Sequence, residues 1–144
     1  MSFLRAHASI TRELSARLEA THGVTLNDYD VLVQLAYAPD RQLRRVDLAR
    51  SVLLSPSGIT RLLDGLEREG WVEKGECPSD ARVTYAVLTD GGLAKFKAVR
   101  KTHLVDIEAV FGSRFSPEEL EMVSSLLGRL LDSGEPAACL KEPS

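Results

Sequence analysis

The feature that most constrains this chain is the change of hydrophobic period at Gly70, from helical spacing before it to alternating spacing after it. Ser55 and Pro56 form a strong helix start, because serine caps free backbone N–H groups and proline at the first helical position has no donor to lose. Gly70 supplies the left-handed stop. The buried stripe of this predicted helix comprises Ile59, Leu62, Leu63 and Leu66.

A β-hairpin is predicted directly after this helix. Residues 71–74 and 83–87 are the alternating segments, and the polar segment 75–80 lies between them. A short helix is predicted before it, with Val46, Leu48, Ala49 and Val52 on the inward side. Two short helices joined tightly and followed at once by a hairpin are typical of a winged helix-turn-helix.

Helices with apolar stripes are predicted on both sides of this unit. They cover 2–21, 25–38, a segment from Thr89-Asp90 to about 110, and 116–134, where serine, threonine and proline caps mark the starts. The long stripe Phe96, Val99, His103, Ile107 and Val110 is expected to need a second chain. We therefore predict a homodimer whose interface contains Leu14, Leu18, Ile107, Val110, Leu127 and Leu130.

The overall charge does not identify a partner. The chain of 144 residues carries a net charge of −3, but residues 40–82 hold eight basic and eight acidic side chains and are neutral. A neutral segment can still present a positive face where its acids point elsewhere. Charge alone therefore leaves binding to nucleic acid open.

The start of the second short helix is the best candidate for contact with DNA. Its small polar residues make it narrow enough for the major groove, and its free N–H groups favour phosphate. Arg61 can reach a guanine edge, and Arg82 can enter a narrow minor groove. The predicted recognition-helix residues are Ser55, Ser57, Gly58, Thr60 and Arg61; the predicted wing residues are Lys74, Asp80 and Arg82; Arg44 and Arg45 are predicted phosphate contacts.

An ordered set of short motifs resembles the MarR family of bacterial regulators. It comprises Leu48-Ala49, the segment from Leu54 to Val72 (LSPSGITRLLDGLEREGWV), Asp80-Ala81-Arg82 and Leu88-Thr89-Asp90-Gly91-Gly92. The resemblance extends over nearly the whole chain. It departs from the pattern in the wing, where Glu76 and Cys77 stand where relatives often carry basic residues and Ala81 stands where arginine is common. Wing contacts are therefore expected to be weaker than in typical members.

The resemblance implies a mainly α, winged helix-turn-helix homodimer whose terminal helices interlock. It implies binding of double-stranded DNA at a palindromic site, transcriptional repression, and release by a small aromatic or phenolic effector. The expected layout is one domain over 1–144, with dimerisation helices at 1–22 and 90–134, a DNA-binding lobe at 25–89 and a tail at 135–144.

Other classes of function have weaker support in the sequence. A winged-helix module that docks a protein instead of DNA is the alternative, although its docking face would more often be apolar than rich in arginine. No nucleophile and base, or pair of acids, has catalytic spacing, so we expect no enzyme and no cofactor. The three histidines lack metal spacing, so no metal is expected.

The cysteines and the apolar runs bear on the compartment. Cys77 and Cys139 have neither CxxC nor Cys/His spacing, and Cys77 is interpreted as an inert surface thiol. No run approaches the roughly 20 apolar residues of a membrane span, and the start lacks a signal-peptide core. We expect a cytoplasmic protein with no membrane partner.

Overall fold

The computed structural model describes residues 2–52, 54–76 and 82–130, and within them the fold is mostly helical. The long helices are α1 (Ser2–His22), α2 (Leu26–Tyr37), α4 (Pro56–Arg68), α5 (Asp90–Gly112) and α6 (Pro117–Gly128). The shorter elements are a 3₁₀ turn (Pro39–Arg41), β1 (Gln42–Arg44), α3 (Arg45–Ser51), β2 (Val72–Glu76) and β3 (Thr84–Leu88). The predicted mainly α fold with a small β wing is confirmed.

The sheet has three antiparallel strands in the order β1-β3-β2. The predicted hairpin is β2 paired with β3, with Val72 opposite Leu88 and Glu76 opposite Thr84. Strand β1, in which Arg44 pairs with Tyr85, was not predicted from the sequence. A strand of three residues is too short to show an alternating pattern, so its pairing partner defines it.

The helix boundaries follow from local capping. The Thr25 hydroxyl accepts a hydrogen bond from the N–H of Asp28, and the Asp28 carboxylate accepts one from the N–H of Thr25. Thr89 caps α5 through the N–H of Gly92. Gly70 adopts a φ of +73°, which is the left-handed stop predicted for α4. Side chains close to the helix ends therefore fix where these helices begin and end.

The core lies where α2, α4 and α5 pack together and against the sheet. Its fully buried large side chains include Leu32, Leu35, Leu63 and Phe96. The α5 stripe expected to need a second chain is covered instead by α1 and α2 of the same chain: Phe96, Val99, His103 and Val110 are buried. That expectation is wrong, because α1 and α2 both lie against α5.

The first and last helices leave apolar side chains uncovered. Leu14 and Leu18 are buried within the chain, but Phe3 and Leu4 near the start of α1 are 55% and 66% exposed. No residue of α6 is buried, and its large exposed hydrophobic residues are Met122, Val123, Leu126 and Leu127, followed by Leu130 just after the helix. Helix α6 and the start of α1 therefore both present apolar surface that a second chain could cover.

Two further expectations need correction. Helix α6 ends at Gly128 and not near residue 133, since Arg129 is already the C-terminal cap and glycine has a low helix propensity. Val46 was predicted to face inward but is 54% exposed, whereas Leu48 and Ala49 are buried. A helix of only seven residues has fewer than two full turns, so the spacing of its hydrophobic residues does not define which side is buried.

None of the helices in the described ranges has the length and apolar character needed to cross a bilayer.

Candidate DNA interface

The helix-turn-helix consists of α3 and α4, which pack against each other. Leu48 and Ala49 of α3 and Ile59 of α4 are buried in the same core. Four residues, 52–55, separate the two helices. One face of α4 is held against the core by Ile59, Leu63 and Leu66, each 3% exposed or less. The opposite face is consequently fixed in direction and open to solvent.

The N-terminus of α4 presents a cluster of small polar groups. The Ser55 hydroxyl accepts a hydrogen bond from the N–H of Gly58 at 3.1 Å and lies 3.2 Å from the Ser57 hydroxyl. Thr60 donates to the carbonyl of Pro56 at 2.8 Å. These hydroxyls shape the first turn while staying exposed. They leave the helix start narrow and polar, as contact with a groove requires.

Arg61 lies on the solvent side of α4 and is exposed. It stands one turn after Ser57 and two residues after buried Ile59, so its side chain projects from the same end of the helix as the serine cluster. The structure thus brings all five predicted recognition-helix residues onto the start of one helix. Contact with DNA by each of them remains a prediction.

The predicted wing residues occupy three different situations. Lys74 lies on β2, where its Nζ is 3.2 Å from a carboxylate oxygen of Glu67 on α4. This ion pair links the wing to the recognition helix, and the sequence analysis did not foresee it. Arg82 is exposed just before β3. Asp80 lies outside the described residues.

Arg82 is near the two arginines predicted to contact phosphate. Arg44 ends β1 and Arg45 begins α3, and both line a pocket of about 210 Å³ together with Arg82, Val83 and Thr84. The pairing of Arg44 with Tyr85 explains this proximity, because β1 runs beside β3. Arg82 lies almost 40 positions after Arg44 and Arg45 in the sequence. The three residues line one pocket because β1, which was not predicted, pairs with β3.

Gly75 also lies elsewhere than the sequence predicted. It was expected in the loop but lies within β2, opposite Tyr85. A Cβ at this position would be 2.9 Å from Val87 Cγ2 and 3.2 Å from Tyr85 Cβ, closer than ordinary packing allows. The glycine therefore allows the two wing strands to pair closely.

Several polar side chains of α2 and α5 are buried where these two helices pack together. The ring of His103 packs edge-on against Tyr29 at 5.0 Å between centroids. Burial lowers the pKa of His103, although Asp106 opposes this effect, and burial raises the pKa of Tyr29 to about 12. The Tyr37 hydroxyl, His103 Nδ1 and one Asp106 oxygen are buried without hydrogen-bond partners among the described residues.

No cluster of three or more potential metal ligands occurs in the part of the chain that the structure describes. Cys77 and Cys139 lie outside that part. The interpretation of Cys77 as inert stays a prediction.

An exposed polar helix start, presented by a helix-turn-helix and flanked by an antiparallel hairpin, defines a winged helix-turn-helix protein. Residues 22–83 match the sequence profile of the MarR family. The chain is 29% identical over 126 residues to the HTH-type transcriptional regulator MhqR of Bacillus subtilis (strain 168), covering 88% of this chain and 84% of that protein. It is 32% identical over 113 residues to the HTH-type transcriptional repressor YetL of the same organism, covering 78% and 67%.

The comparison with solved structures also gives a MarR family regulator. Sco3205, a MarR family transcriptional regulator from Streptomyces coelicolor solved in complex with DNA, superposes with a TM-score of 0.84 at 27% identity, covering 94% of this chain and 85% of that one. The chain therefore belongs to the MarR family of HTH-type transcriptional regulators, and it is a regulator and not an enzyme.

Proposed function

We propose that this protein is a transcriptional repressor that binds a palindromic site in double-stranded DNA as a homodimer and is released by a small molecule. The observation that carries the proposal is the exposed N-terminal turn of α4, where Ser55, Ser57 and Arg61 project beside the wing. A helix start of this kind can enter the major groove, where an arginine distinguishes guanine from the other bases.

The relatives support the regulatory part of the proposal. YetL is named a transcriptional repressor, and the Sco3205 structure contains DNA. The neutral charge of residues 40–82 is compatible with binding, because several acids are paired within the chain. Glu67 pairs with Lys74, and Asp47 lies within 4 Å of Arg44 and Arg50.

The exposed apolar side chains of α6 support the homodimer. Leu126 and Leu127 are 49% and 38% exposed, and Leu130 after the helix is 75% exposed. A contiguous apolar patch of this kind is uncommon on a monomer and often marks an interface. Of the six predicted interface residues, Leu14, Leu18 and Val110 are buried within the chain, so the proposed contact uses Leu127, Leu130 and half-buried Ile107.

Selection of bound sequences from random duplex DNA tests the function. Enrichment of a palindrome with half-sites about one helical turn apart is the expected result, because each protomer presents one recognition helix. Reporter transcription from a promoter carrying that palindrome should fall when the protein is present. Recovery of no enriched sequence at low salt would contradict the proposal, and binding of a protein instead would favour the docking-module alternative.

We further propose that a small aromatic or phenolic effector binds between α2 and α5. The Tyr37 hydroxyl and His103 Nδ1 lack partners among the described residues and offer hydrogen bonds to a hydroxyl or carboxylate, and Tyr29 and Phe96 offer aromatic contacts. A panel of phenols and aromatic acids should contain compounds that raise the Tm and release the selected DNA. If every compound that releases DNA acts equally on Tyr37→Phe and His103→Gln, the effector binds elsewhere.

A further inference from the structure

Lys74 of the wing strand β2 extends toward the recognition helix. Alternate residues of a strand lie on the same face of its sheet, so Lys74 shares a face with Val72. Val72 is 2% exposed and belongs to the hydrophobic core. Glu73, which stands between them, lies on the opposite face and is exposed. The lysine side chain therefore leaves β2 on the side that packs against α4.

The carboxylate that Lys74 meets belongs to Glu67, at 3.2 Å from the lysine Nζ. The Glu67 side chain is 23% exposed and that of Lys74 is 54% exposed, so the acid is the more covered partner. Glu67 lies in the last turn of α4, where the negative end of the helix dipole disfavours a carboxylate. Arg68, in the same turn, donates from its Nε to the carbonyl of Asp64. The ammonium of Lys74 offsets the unfavourable charge of Glu67.

The pair joins the wing to α4 beyond the turn that connects them. The turn is held by its own backbone, since the N–H of Gly70 donates to the carbonyl of Glu67 at 3.0 Å. Further along, β2 is an edge strand of the described sheet, because the strand order is β1-β3-β2. The next residue after Lys74 is Gly75, which has no side chain that could reach the helix. Lys74 therefore ties this edge strand back to α4.

We propose that Lys74 is a positioning residue, and that its pair with Glu67 fixes the direction of the wing relative to the recognition helix. The inference rests on the proposed function, in which both elements meet one duplex. In this role Lys74 acts through Glu67, and direct contact of its ammonium with DNA is the alternative that the experiment tests. A partly exposed ion pair changes a conformational equilibrium by no more than about fivefold, which sets the size of the expected effects.

Glu67→Gln separates the two roles, because they predict effects of opposite sign. If Lys74 positions the wing, loss of its partner should weaken binding of the selected duplex by about two- to fivefold. If Lys74 contacts phosphate, removal of the carboxylate frees the ammonium for DNA and should strengthen binding. Lys74→Gln should weaken binding by a similar factor and keep the salt slope of the wild type, whereas a lost phosphate contact would reduce that slope by about 0.9.

The charge swap, Glu67→Lys together with Lys74→Glu, is the rescue. It keeps the net charge and places opposite charges across the same gap, so its affinity should return to within about twofold of the wild type. The double variant Glu67→Gln, Lys74→Gln should bind no more weakly than either single variant, because the two residues act as one pair.

Glu73→Gln is the matched control. Glu73 precedes Lys74 on the same strand, is exposed and lies on the opposite face. The control removes the same charge as Glu67→Gln but leaves the pair in place, so it should bind the duplex at least as tightly as the wild type does. A far-ultraviolet dichroism spectrum equal to that of the wild type establishes that each variant is folded.

A second arm measures the wing in the free protein. Amides of β2 that pair with β3 exchange their hydrogens when this edge strand opens locally. Glu67→Gln and Lys74→Gln should each speed this exchange by about two- to fivefold, and the charge swap should restore the rate of the wild type. Glu73→Gln should leave the rate unchanged. Because no DNA is present, this arm reports the link between the wing and α4 independently of the proposed function.

The two arms distinguish failure of the inference from failure of the proposed function. If the wild type binds no duplex but exchange in β2 depends on the pair, the proposed function is overturned and the link between the wing and α4 is supported. If Glu67→Gln binds more tightly than Glu73→Gln, or Lys74→Gln loses about 0.9 of the slope, the positioning role is overturned while DNA binding stands. Unchanged affinity and exchange in both single variants, or a charge swap that recovers no affinity, also overturns it.

Discussion

Gly92 packs so closely on Trp71 that a Cβ at Gly92 would overlap the Trp71 carbonyl oxygen and lie 2.9 Å from its carbon. The contact joins the first turn of α5 to the segment between the recognition helix and β2. Thr89 strengthens the junction, since its hydroxyl donates to the carbonyl of Gly70 and its N–H donates to that of Trp71. The start of the long helix α5 is thereby anchored to the segment that follows α4.

Gly92→Ala should destabilise the protein by about 1–3 kcal/mol or more, because the new methyl group meets backbone that cannot move aside. Gly91→Ala is the matched control, since a Cβ there would lie 3.6 Å from the nearest atoms, an ordinary contact distance. The control should be neutral or slightly stabilising, as alanine favours helix. Urea unfolding measures both. Equal free energies of unfolding for the two variants would contradict the close approach described above.

Features encoded within one or two turns of helix could be predicted from the sequence. The caps at Thr25, Ser55, Thr89 and Ser116 are present as predicted, because a cap depends on groups three residues apart. The left-handed stop at Gly70 could also be predicted, because it depends only on the conformation of one glycine at the end of its helix. The predicted recognition-helix residues fall together for this reason, since one helix start contains them all.

Features that depend on distant segments could not be predicted. Strand β1 exists because Arg44 and its neighbours pair with β3, more than 40 residues later. The burial of the α5 stripe depends on α1 and α2, and the pairing of Lys74 with Glu67 depends on how the wing folds back on α4. A hydrophobic period shows that a face is covered, but it does not show which chain covers it.

His103 should make stability depend on pH. Burial lowers its pKa below the ordinary 6.5, so the unfolded chain takes up a proton at higher pH than the folded chain does. Its contribution to stability is therefore complete above pH 6.5 and is lost as the pH falls through that value toward the folded pKa. The free energy of unfolding should therefore decrease as the pH falls below about 6.5. His103→Gln should show a smaller decrease.

His7→Gln is the control for this measurement, because His7 is exposed on α1. It should retain the pH dependence of the wild type. Tyr29, with a pKa raised to about 12, titrates outside this pH range and does not contribute to the difference. An unchanged pH dependence in His103→Gln would show that another group causes it.

Leu127→Glu should convert dimers to monomers that remain helical. The side chain is 38% exposed in the single chain, so the charge is tolerated there, but burying it in an apolar interface without a partner would be costly. Ser125→Glu is the matched control, since Ser125 lies on the polar side of α6 and should leave the dimer intact. Light scattering and circular dichroism report mass and helicity. A wild type that is already a stable monomer at micromolar concentration would refute the predicted homodimer.

Arg61→Ala should reduce affinity for the selected palindrome by about 1–3 kcal/mol and affinity for scrambled duplex by much less, because a contact to a guanine edge is specific to sequence. Arg68→Ala is the matched control on the same helix. Arg68 is exposed at the far end of α4, where its Nε donates to the carbonyl of Asp64. A helix that enters the groove by its N-terminus holds this end away from the bases, so the control should bind both duplexes almost as the wild type does.

Affinities for both duplexes are measured by fluorescence anisotropy at several salt concentrations. If Arg61→Ala weakens both duplexes equally and lowers the salt slope, Arg61 contacts only phosphate. If Arg68→Ala has the larger effect on the palindrome, the recognition helix enters DNA in the opposite direction from the one proposed.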